Sequence, residues 1–430
     1  MQAIVALVIF AIAFALIASE KINKVIVVLV ASAAMVATGI VPGSDVFFDR
    51  HAGIDWNVIF LLLGMMIIVG VLKQTGLFEY LGIWAAKQSR GKPYRLMVML
   101  MLITAVASPI LDNVTIIMLV VPVTIVVCNR LHISARPYII AEILASNIGG
   151  AATLIGDPPN IIIASRANLS FNDFLVHMTP IVVIVFTVFV LLTRFMFRKE
   201  FEYRPEHVEA VMRLQERRAI TDPRLLVKCL VVLALVILGF TLHTVLHLEP
   251  AIVALIGALV MVLVTKADVH EVVREVEWPT LVFFTGLFVM VGGLVHTGVI
   301  DAIGHWAIGI VGHDYFAAAT ALLFGSAALG AFFDNIPYAA TMAPIVEGLV
   351  TDGADPRDGA PLWWAFALGA DFGGNGTAVA ASANVVGIGI AGRSGHPISF
   401  WHFTRYGVMV TIVSTLIAWV YVAIRYFALA

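Results

Sequence analysis

The chain has 430 residues, of which 61% are hydrophobic and only 13% are charged, and its formal net charge is −2. Apolar blocks of about 20 residues recur along it, a pattern that excludes an ordinary soluble domain or a disordered chain and is typical of polytopic membrane proteins. No basic, aromatic-rich stretch suggests nucleic-acid binding. We therefore predict an all-α protein that crosses a lipid bilayer many times.

The first apolar block covers residues 2–19. No basic segment precedes it and no small-residue cleavage pattern follows it, so we predict a retained helix rather than a signal peptide. Two cysteines, Cys128 and Cys229, lie far apart near predicted helix ends. We expect neither a disulfide nor a metal site from them, and we predict no cofactor.

The second half of the chain repeats the first. WNVIFLLLGMMIIVGVLKQTGLFEYLGIWA from Trp56 aligns without a gap with WPTLVFFTGLFVMVGGLVHTGVIDAIGHWA from Trp278, an offset of 222 residues. At the same offset LDNV at 111–114 aligns with FDNI at 333–336. Chance likeness between apolar segments does not match Gly, Trp and Asp-Asn in register. We predict two homologous halves, 1–197 and 225–430, joined by a charged linker, 198–224, which we expect to form a cytoplasmic helix.

Basic residues are unevenly distributed between the predicted loops. Alternate loops are rich in Lys and Arg or nearly free of them, and the positive-inside rule places the rich set in the cytoplasm and both termini outside. Only four of the 26 basic residues then lie outside: Arg50, Arg166, Arg357 and Arg425.

This topology requires that 96–128 and 317–348 enter and leave the membrane on one side. Each would be a re-entrant hairpin broken at an Asp-Asn pair. Each half then has five crossings and one hairpin. Because five is odd, the second half is inverted relative to the first, as in many secondary transporters of the cytoplasmic membrane.

Polar, helix-breaking sequences interrupt both halves at membrane depth. One lies at each hairpin tip, and another is NIGGAATLIGDPPN at 147–160, with its counterpart at 371–384 after a further two-residue shift. Irregular backbone cannot face lipid, so these breaks indicate a cavity. We predict that they converge to bind a small solute or ion, through Asp112, Asn113, Asn147, Gly149, Gly150, Thr153, Asp157, Asn160, Asp334, Asn335, Asp371, Gly373, Gly374, Asn375, Thr377 and Asn384.

The four aspartates in these breaks are the sharper signal. A carboxylate at membrane depth is costly and indicates an ion or proton pathway. Asp157, between Gly156 and Pro158, is our first candidate for proton exchange. The alternative is that the glycines allow close packing and the aspartates cap helices. Packing alone does not explain why the same polar set occurs twice.

LDNVTIIMLVVPVTI, followed by ASNIGGAATLIGDPPNIII, resembles the ArsB and pigmentation P protein family of the ion transporter superfamily. The GDPPN variant is nearest the P protein branch, and the resemblance covers nearly the whole chain. It implies a homodimer in which a scaffold carries a mobile transport domain, with the hairpin tips and broken helices, that moves as an elevator. A cytoplasmic ATPase partner is left open.

Departures within this superfamily bear on the cargo. The related sodium-dicarboxylate symporters have Ser-Asn-Thr at the hairpin tip, where this chain has Asp-Asn, and a neutral residue at the position of Asp157. Extra carboxylates repel a dianion in a low dielectric, which argues against citrate or succinate. A proton, a metal cation or a neutral solute such as arsenous acid fits better. FDNIP at 333–337 resembles the NhaD-type sodium-proton antiporters.

We predict a proton-coupled efflux antiporter for arsenite or antimonite, with sodium-proton exchange or another inorganic ion permease as the alternative. An aspartyl intramembrane protease needs a Tyr-Asp pair and a Gly-x-Gly-Asp motif, and this chain has neither. We therefore predict no enzyme activity. A channel remains open, and saturable turnover that depends on a proton gradient would argue against it.

Overall fold

The computed structural model describes residues 1–19, 21–49, 52–202, 209, 212, 215–311, 314–351 and 356–428. All regular structure in these ranges is helical, which confirms the all-α prediction. Six of the described helices are long and apolar enough to cross a membrane: Trp56–Lys73, Asn113–Arg130, Thr179–Met196, Pro223–Leu246, Trp278–His296 and Phe400–Ala428.

Six helices form one packed group, which we call the scaffold. Within it Trp56–Lys73 packs along Pro250–Thr265, and Lys24–Ala37 packs along Trp278–His296. Glycines at equivalent positions allow both approaches, because a Cβ on Gly64 would lie 2.7 Å from Ala254 and a Cβ on Gly286 would lie 2.3 Å from Val28. The scaffold helices are Gln2–Ser19, Lys24–Ala37, Trp56–Lys73, Pro223–Leu246, Pro250–Thr265 and Trp278–His296.

The remaining helices include two helical hairpins and two broken helices. Hairpin 1 is Pro93–Ala107 with Asn113–Arg130, and hairpin 2 is Tyr315–Gly330 with Asn335–Thr351. Broken helix 1 is Arg136–Gly150 with Pro158–Ala167, and broken helix 2 is Pro356–Gly373 with Ser382–Arg393. We call these four elements the core. The other helices are Gly43–Phe48, Leu77–Ser89, Phe171–His177, Thr179–Met196, Arg198–Phe201, Val269–Glu275, Val299–Val311, Phe400–Val422 and a π-helical end, Ala423–Ala428.

The sequence determines where the second arm of a hairpin or broken helix begins. Asp112 precedes the second arm of hairpin 1, and its side chain accepts a hydrogen bond from the Thr115 amide at 2.9 Å, as an N-cap does. Pro158 and Pro159 lie in the first turn of the second arm of broken helix 1. We expected these prolines to unwind a helix. Instead they begin one, because the first turn needs no N–H from them.

Helix contacts occur in matched pairs across the two halves. The first arm of each hairpin packs on the first arm of the broken helix in its own half. The second arm of each hairpin packs on the second arm of the broken helix in the other half. This crossing brings both tips and both breaks into one region, as a repeated sequence leads one to expect. Inversion of one half across the membrane stays a prediction.

The linker departs from its predicted helix. Residues 203–208, 210, 211, 213 and 214 lie outside the described residues. The described part contains a short turn of helix at Arg198–Phe201, helical residues at 209 and 212, and a 3-10 turn at Glu216–Ala219. A continuous helix is therefore wrong for 215–222, where Thr221 instead donates its amide to Thr75 at 3.1 Å. That backbone contact holds the chain extended against the turn after the Trp56–Lys73 helix.

Candidate functional site

Four aspartate carboxylates lie within electrostatic reach of one another where the tips and breaks meet. Asp157 interacts with Asp371, Asp334 and Asp112. Asp157 is 1% exposed and Asp371 is fully buried. Asn113, at the tip of hairpin 1, donates to Asp157 Oδ2 at 3.0 Å. The predicted acids are therefore brought together, two at hairpin tips and two in broken helices.

Amide side chains connect the two halves. Asn147 Nδ2 donates to Asn384 Oδ1 at 2.9 Å and lies 3.2 Å from Asn375 Oδ1. Asn384 in turn donates to the Gly374 and Thr377 carbonyls, each at 2.8 Å. These groups belong to opposite broken helices, so the network crosses the boundary between the repeats.

Thr153 and Thr377 hold each break against its own hairpin. Thr153 Oγ1 donates to the Pro109 carbonyl at 2.5 Å, and Thr377 Oγ1 donates to the Ala331 carbonyl at 2.6 Å. Both hydroxyls are therefore already used within the protein. These bonds position the breaks, and the predicted ligand roles of the two threonines stay a prediction, since a hydroxyl that donates can still accept.

Several polar atoms at the centre have no hydrogen-bond partner among the described residues. A buried, unpartnered polar atom ordinarily costs about 1–3 kcal/mol, so such a group indicates a place for a ligand or ion. The oxygens could hold a cation, and the amides could donate to a hydroxylated solute. The atoms are Asp157 Oδ1, Asn160 Oδ1, Asn335 Nδ2, Asn375 Nδ2 and both oxygens of Asp371.

The two halves differ at their acids. At the offset of 224 residues that relates 147–160 to 371–384, Asp157 corresponds to Ala381 and Asp371 corresponds to Asn147. Each broken helix thus contributes one carboxylate, from a different position. The two broken helices are equivalent in sequence, but their carboxylates stand at different positions. The two acids can therefore take different roles.

The glycines predicted as ligands serve mainly as packing positions. A Cβ on Gly149 would lie 2.5 Å from the Ala105 carbonyl, and a Cβ on Gly373 would lie 2.9 Å from the Ala327 carbonyl. Gly150 is equally tight against Gly156. Of the predicted glycines only Gly374 has a carbonyl within the amide network. Gly149, Gly150 and Gly373 are positions where only hydrogen fits, and their predicted ligand roles through backbone groups stay a prediction.

A cavity of about 480 Å³ lies between the scaffold and the core. Its wall contains the charged side chains of Lys24, Asp112, Glu277 and Asp334 together with the Phe283 ring. The scaffold loop at 22–25 lines it, on the side that the charge pattern predicts to be cytoplasmic. Both hairpin tips are reached from this one space.

Lys24 and Glu277 were missed by sequence reasoning. Lys24 was counted only among the basic loop residues, yet its Nζ lies 2.9 Å from Asp334 Oδ2 and 3.0 Å from Ser382 Oγ. Glu277 interacts with both Asp112 and Lys24. The repeat offers a signal for Glu277, because at an offset of 222 it corresponds to Asp55, which accepts a hydrogen bond from Ser165 of broken helix 1.

A second cavity of about 460 Å³ lies on the opposite side of the scaffold–core boundary. It is lined by Asn57, Ser165, His243 and Glu249 but by neither hairpin tip. The His243 ring lies between the Phe171 amide and the Leu248 carbonyl, each at 3.3 Å, which is a structural placement. Of these two cavities, only the first is lined by the hairpin-tip aspartates.

Comparison with known proteins identifies the family. Residues 14–369 match the family described as citrate transporter. An uncharacterised transporter of Mycobacterium bovis is 51% identical over 429 residues, covering 100% of each chain. The human P protein is 33% identical over 505 residues, covering 99% of this chain and 60% of the P protein.

The ArsB and P protein resemblance is confirmed by these relatives. The solved structure of Neisseria gonorrhoeae MtrF covers 100% of this chain and 96% of its own, with a TM-score of 0.62 and 12% identity, so the fold is shared. The relatives are transporters and not enzymes, as predicted. The chain is a multi-pass membrane transporter that belongs to the citrate transporter family.

Proposed function

We propose that the chain is a proton-coupled efflux antiporter that exports arsenite or antimonite. One observation carries this proposal: four aspartates from both halves surround buried, unpartnered polar atoms beside a cavity. In such an arrangement cargo and coupling ion meet at one place, so the occupancy of one alters the binding of the other.

Crowded carboxylates make ion coupling a physical requirement. Four of them in a low dielectric cannot all be ionised without nearby positive charge. Lys24 supplies one positive charge, at Asp334. Protons or cations must balance the rest, so their binding and release accompany the movement of the cargo.

A neutral hydroxylated solute suits the unpartnered atoms. Arsenous acid offers hydroxyl donors for the Asp371 and Asn160 oxygens and oxygen acceptors for the amides of Asn335 and Asn375. Free citrate carries several negative charges and would be repelled by the same aspartates. The family description therefore does not make free citrate the preferred cargo here.

Sodium-proton exchange is the second candidate. The unpartnered oxygens of Asp157, Asn160 and Asp371 form the kind of hard-oxygen set that binds small metal cations. A sodium ion would satisfy these oxygens but would leave the free amides of Asn335 and Asn375 unused. That difference favours the hydroxylated solute.

Proteoliposomes with an imposed pH gradient test the proposal, with arsenite and sodium flux measured in parallel. We expect arsenite flux that saturates and follows the gradient, and loss of at least tenfold in Asp371→Asn. Asp301→Asn, an exposed acid on another helix, is the matched control and should transport normally. Gradient-driven sodium flux without arsenite flux would select the second candidate, and no flux of either would reject both.

We infer further that the protein acts as a homodimer in the cytoplasmic membrane, with both termini outside and the core moving as an elevator against the scaffold. Packing supports the last point, because the scaffold forms one continuous group and a cavity lies between much of it and the hairpin tips. Mass measurement in lipid nanodiscs tests the dimer.

A further inference from the structure

Lys24 links two units that must separate if the core moves. It begins the Lys24–Ala37 helix, which packs within the scaffold. Its ammonium reaches Asp334 at the tip of hairpin 2 and Ser382 at the start of the second arm of broken helix 2. Both partners belong to the core, so one scaffold side chain holds two core elements.

The surroundings favour a positive charge at this point. Lys24 Nζ lies 4.9 Å from the centre of the Phe283 ring, a cation–π distance. Glu277 also interacts with Lys24, and Asp112 lines the same cavity, so two carboxylates and an aromatic face act on one ammonium. The Asp334 side chain is 13% exposed and the Lys24 side chain is 38% exposed, so the pair is partly buried and is less screened by water than a pair between two exposed side chains.

We propose that Lys24 is a tethered counter-cation which latches the empty core to the scaffold and is displaced when a proton or cation neutralises Asp334. This inference rests on the proposed antiport and deepens it. An exchanger must keep its empty core from crossing, whereas a symporter must let it return. A latch that closes only on the empty site imposes exchange, because the core is then released either by a coupling ion that neutralises Asp334 or by bound cargo that takes the place of the lysine.

Distance measurements without any cargo test this latch. Spin labels on cysteines introduced at His270 of the scaffold side and Ser394 beside the core report their separation, in a background with Cys128→Ser and Cys229→Ser. Labelled chains are diluted with unlabelled protein, so that only distances within one chain are read. With Lys24 intact we expect one dominant distance at neutral pH.

Lys24→Gln should add a second distance, with a population about five- to tenfold higher than in the parent, the change expected from losing one partly buried ion pair. Asp334→Asn should give the same redistribution, and the double variant should add nothing further. Lys24→Arg should keep the parent distribution. The matched control is Lys73→Gln, which removes a 2.7 Å pair with Glu275 on the scaffold side alone and should leave the distances unchanged.

An unchanged distribution in both Lys24→Gln and Asp334→Asn would overturn the latch, as would an equal response to Lys73→Gln. The two variants provide independent routes if one of them does not fold. Because neither cargo nor gradient is present, this result stands apart from the flux assay. Failure of arsenite and sodium transport with a normal latch response would reject the cargo proposal alone.

Discussion

At the scale of single residues, the two buried aspartates of the broken helices have different supports. Asp157 Oδ2 accepts a hydrogen bond from Asn113 at 3.0 Å. The Asp371 carboxylate interacts with the neighbouring Asn160 side chain, but no partner among the described residues meets full hydrogen-bond geometry with it. Asp157 is therefore the more firmly oriented of the two, and the oxygens of Asp371 are the more available to a ligand. This difference suggests separate roles, proton exchange at Asp157 and cargo contact at Asp371.

Asp157→Asn tests the first role. The substituted amide keeps an oxygen for Asn113 but cannot gain or lose a proton, so we expect a folded protein whose transport no longer depends on pH. Flux is measured across a series of pH values, with size-exclusion behaviour as the check on folding. An unaltered pH profile in Asp157→Asn would remove Asp157 from the coupling mechanism.

Sequence reasoning named most of the residues that the structure brings together at the candidate site, because the repeat and the polar breaks are local signals. Asp112, Asp157, Asp334 and Asp371 were all named from helix-breaking context at membrane depth. Lys24 could not be found in that way, since 310 residues separate it from Asp334 and nothing near it in the chain marks the contact. Long-range pairing of a loop residue depends on how helices pack, which periodicity does not encode.

At the scale of elements, the broken helices depend on close backbone approach to the hairpins. Gly149→Ala would place a methyl group against the Ala105 backbone, which cannot move aside as a side chain can. We expect a loss of about 1–3 kcal/mol in unfolding free energy, the usual cost of overpacking. Thermal unfolding in detergent measures it.

The control for that substitution is Gly325→Ala on the first arm of hairpin 2. A Cβ there meets nothing within 4 Å, so the change should be neutral or should stabilise the helix by up to about 1 kcal/mol. Similar losses in both variants would show that the close contact at Gly149 is not what the break requires. The close packing of these glycines could not be separated from unwinding by sequence alone, because both select glycine.

The linker contributes a second element-scale test. Glu216 lies 2.6 Å from Lys87, and this hydrogen bond lowers the pKa of Glu216 below the usual glutamate value. A lowered pKa in the folded state means that the contact is complete above the usual glutamate range. It is lost as the pH falls through the lowered value.

Glu216→Gln removes the ion pair with Lys87. It should therefore weaken the contacts of the linker at neutral pH, as protonation of Glu216 does in the parent at low pH. We expect a lower protection factor at the Thr221 amide, which otherwise donates to Thr75, and a protection factor that no longer falls as the pH is lowered through the Glu216 pKa of the parent. Mass spectrometry of the peptide covering 216–222 measures this exchange. Equal protection in parent and variant would mean that the backbone contact holds without the ion pair.

At the scale of the whole molecule, the charge pattern and the repeat make a joint prediction about sidedness. Gln74 and His296 are equivalent at an offset of 222 and both are exposed. If the halves are inverted, a cysteine at Gln74 reacts only from the cytoplasmic side and one at His296 only from outside. Membrane-impermeant maleimide in oriented vesicles distinguishes the two faces. Labelling of both from one side would make the repeats parallel.

The two hairpin tips should also act on one bound solute. Asn113 is already committed to Asp157, while the Nδ2 of Asn335 is unpartnered and free to bind cargo. Asn113→Ala and Asn335→Ala should each weaken cargo affinity by about 1–3 kcal/mol, the first by leaving a buried carboxylate oxygen unpaired and the second by removing a donor.

Because the Asn113 partner Asp157 and the free Asn335 amide would surround the same cargo, their losses should not add. We expect the double variant to depart from the sum of the single losses by more than about 0.5 kcal/mol, measured by arsenite binding at fixed pH. Strictly additive losses would mean that the tips act at separate places. If Asn335→Ala leaves cargo affinity unchanged, binding belongs to the first half alone. The tip of hairpin 2 would then serve only its contact with Lys24.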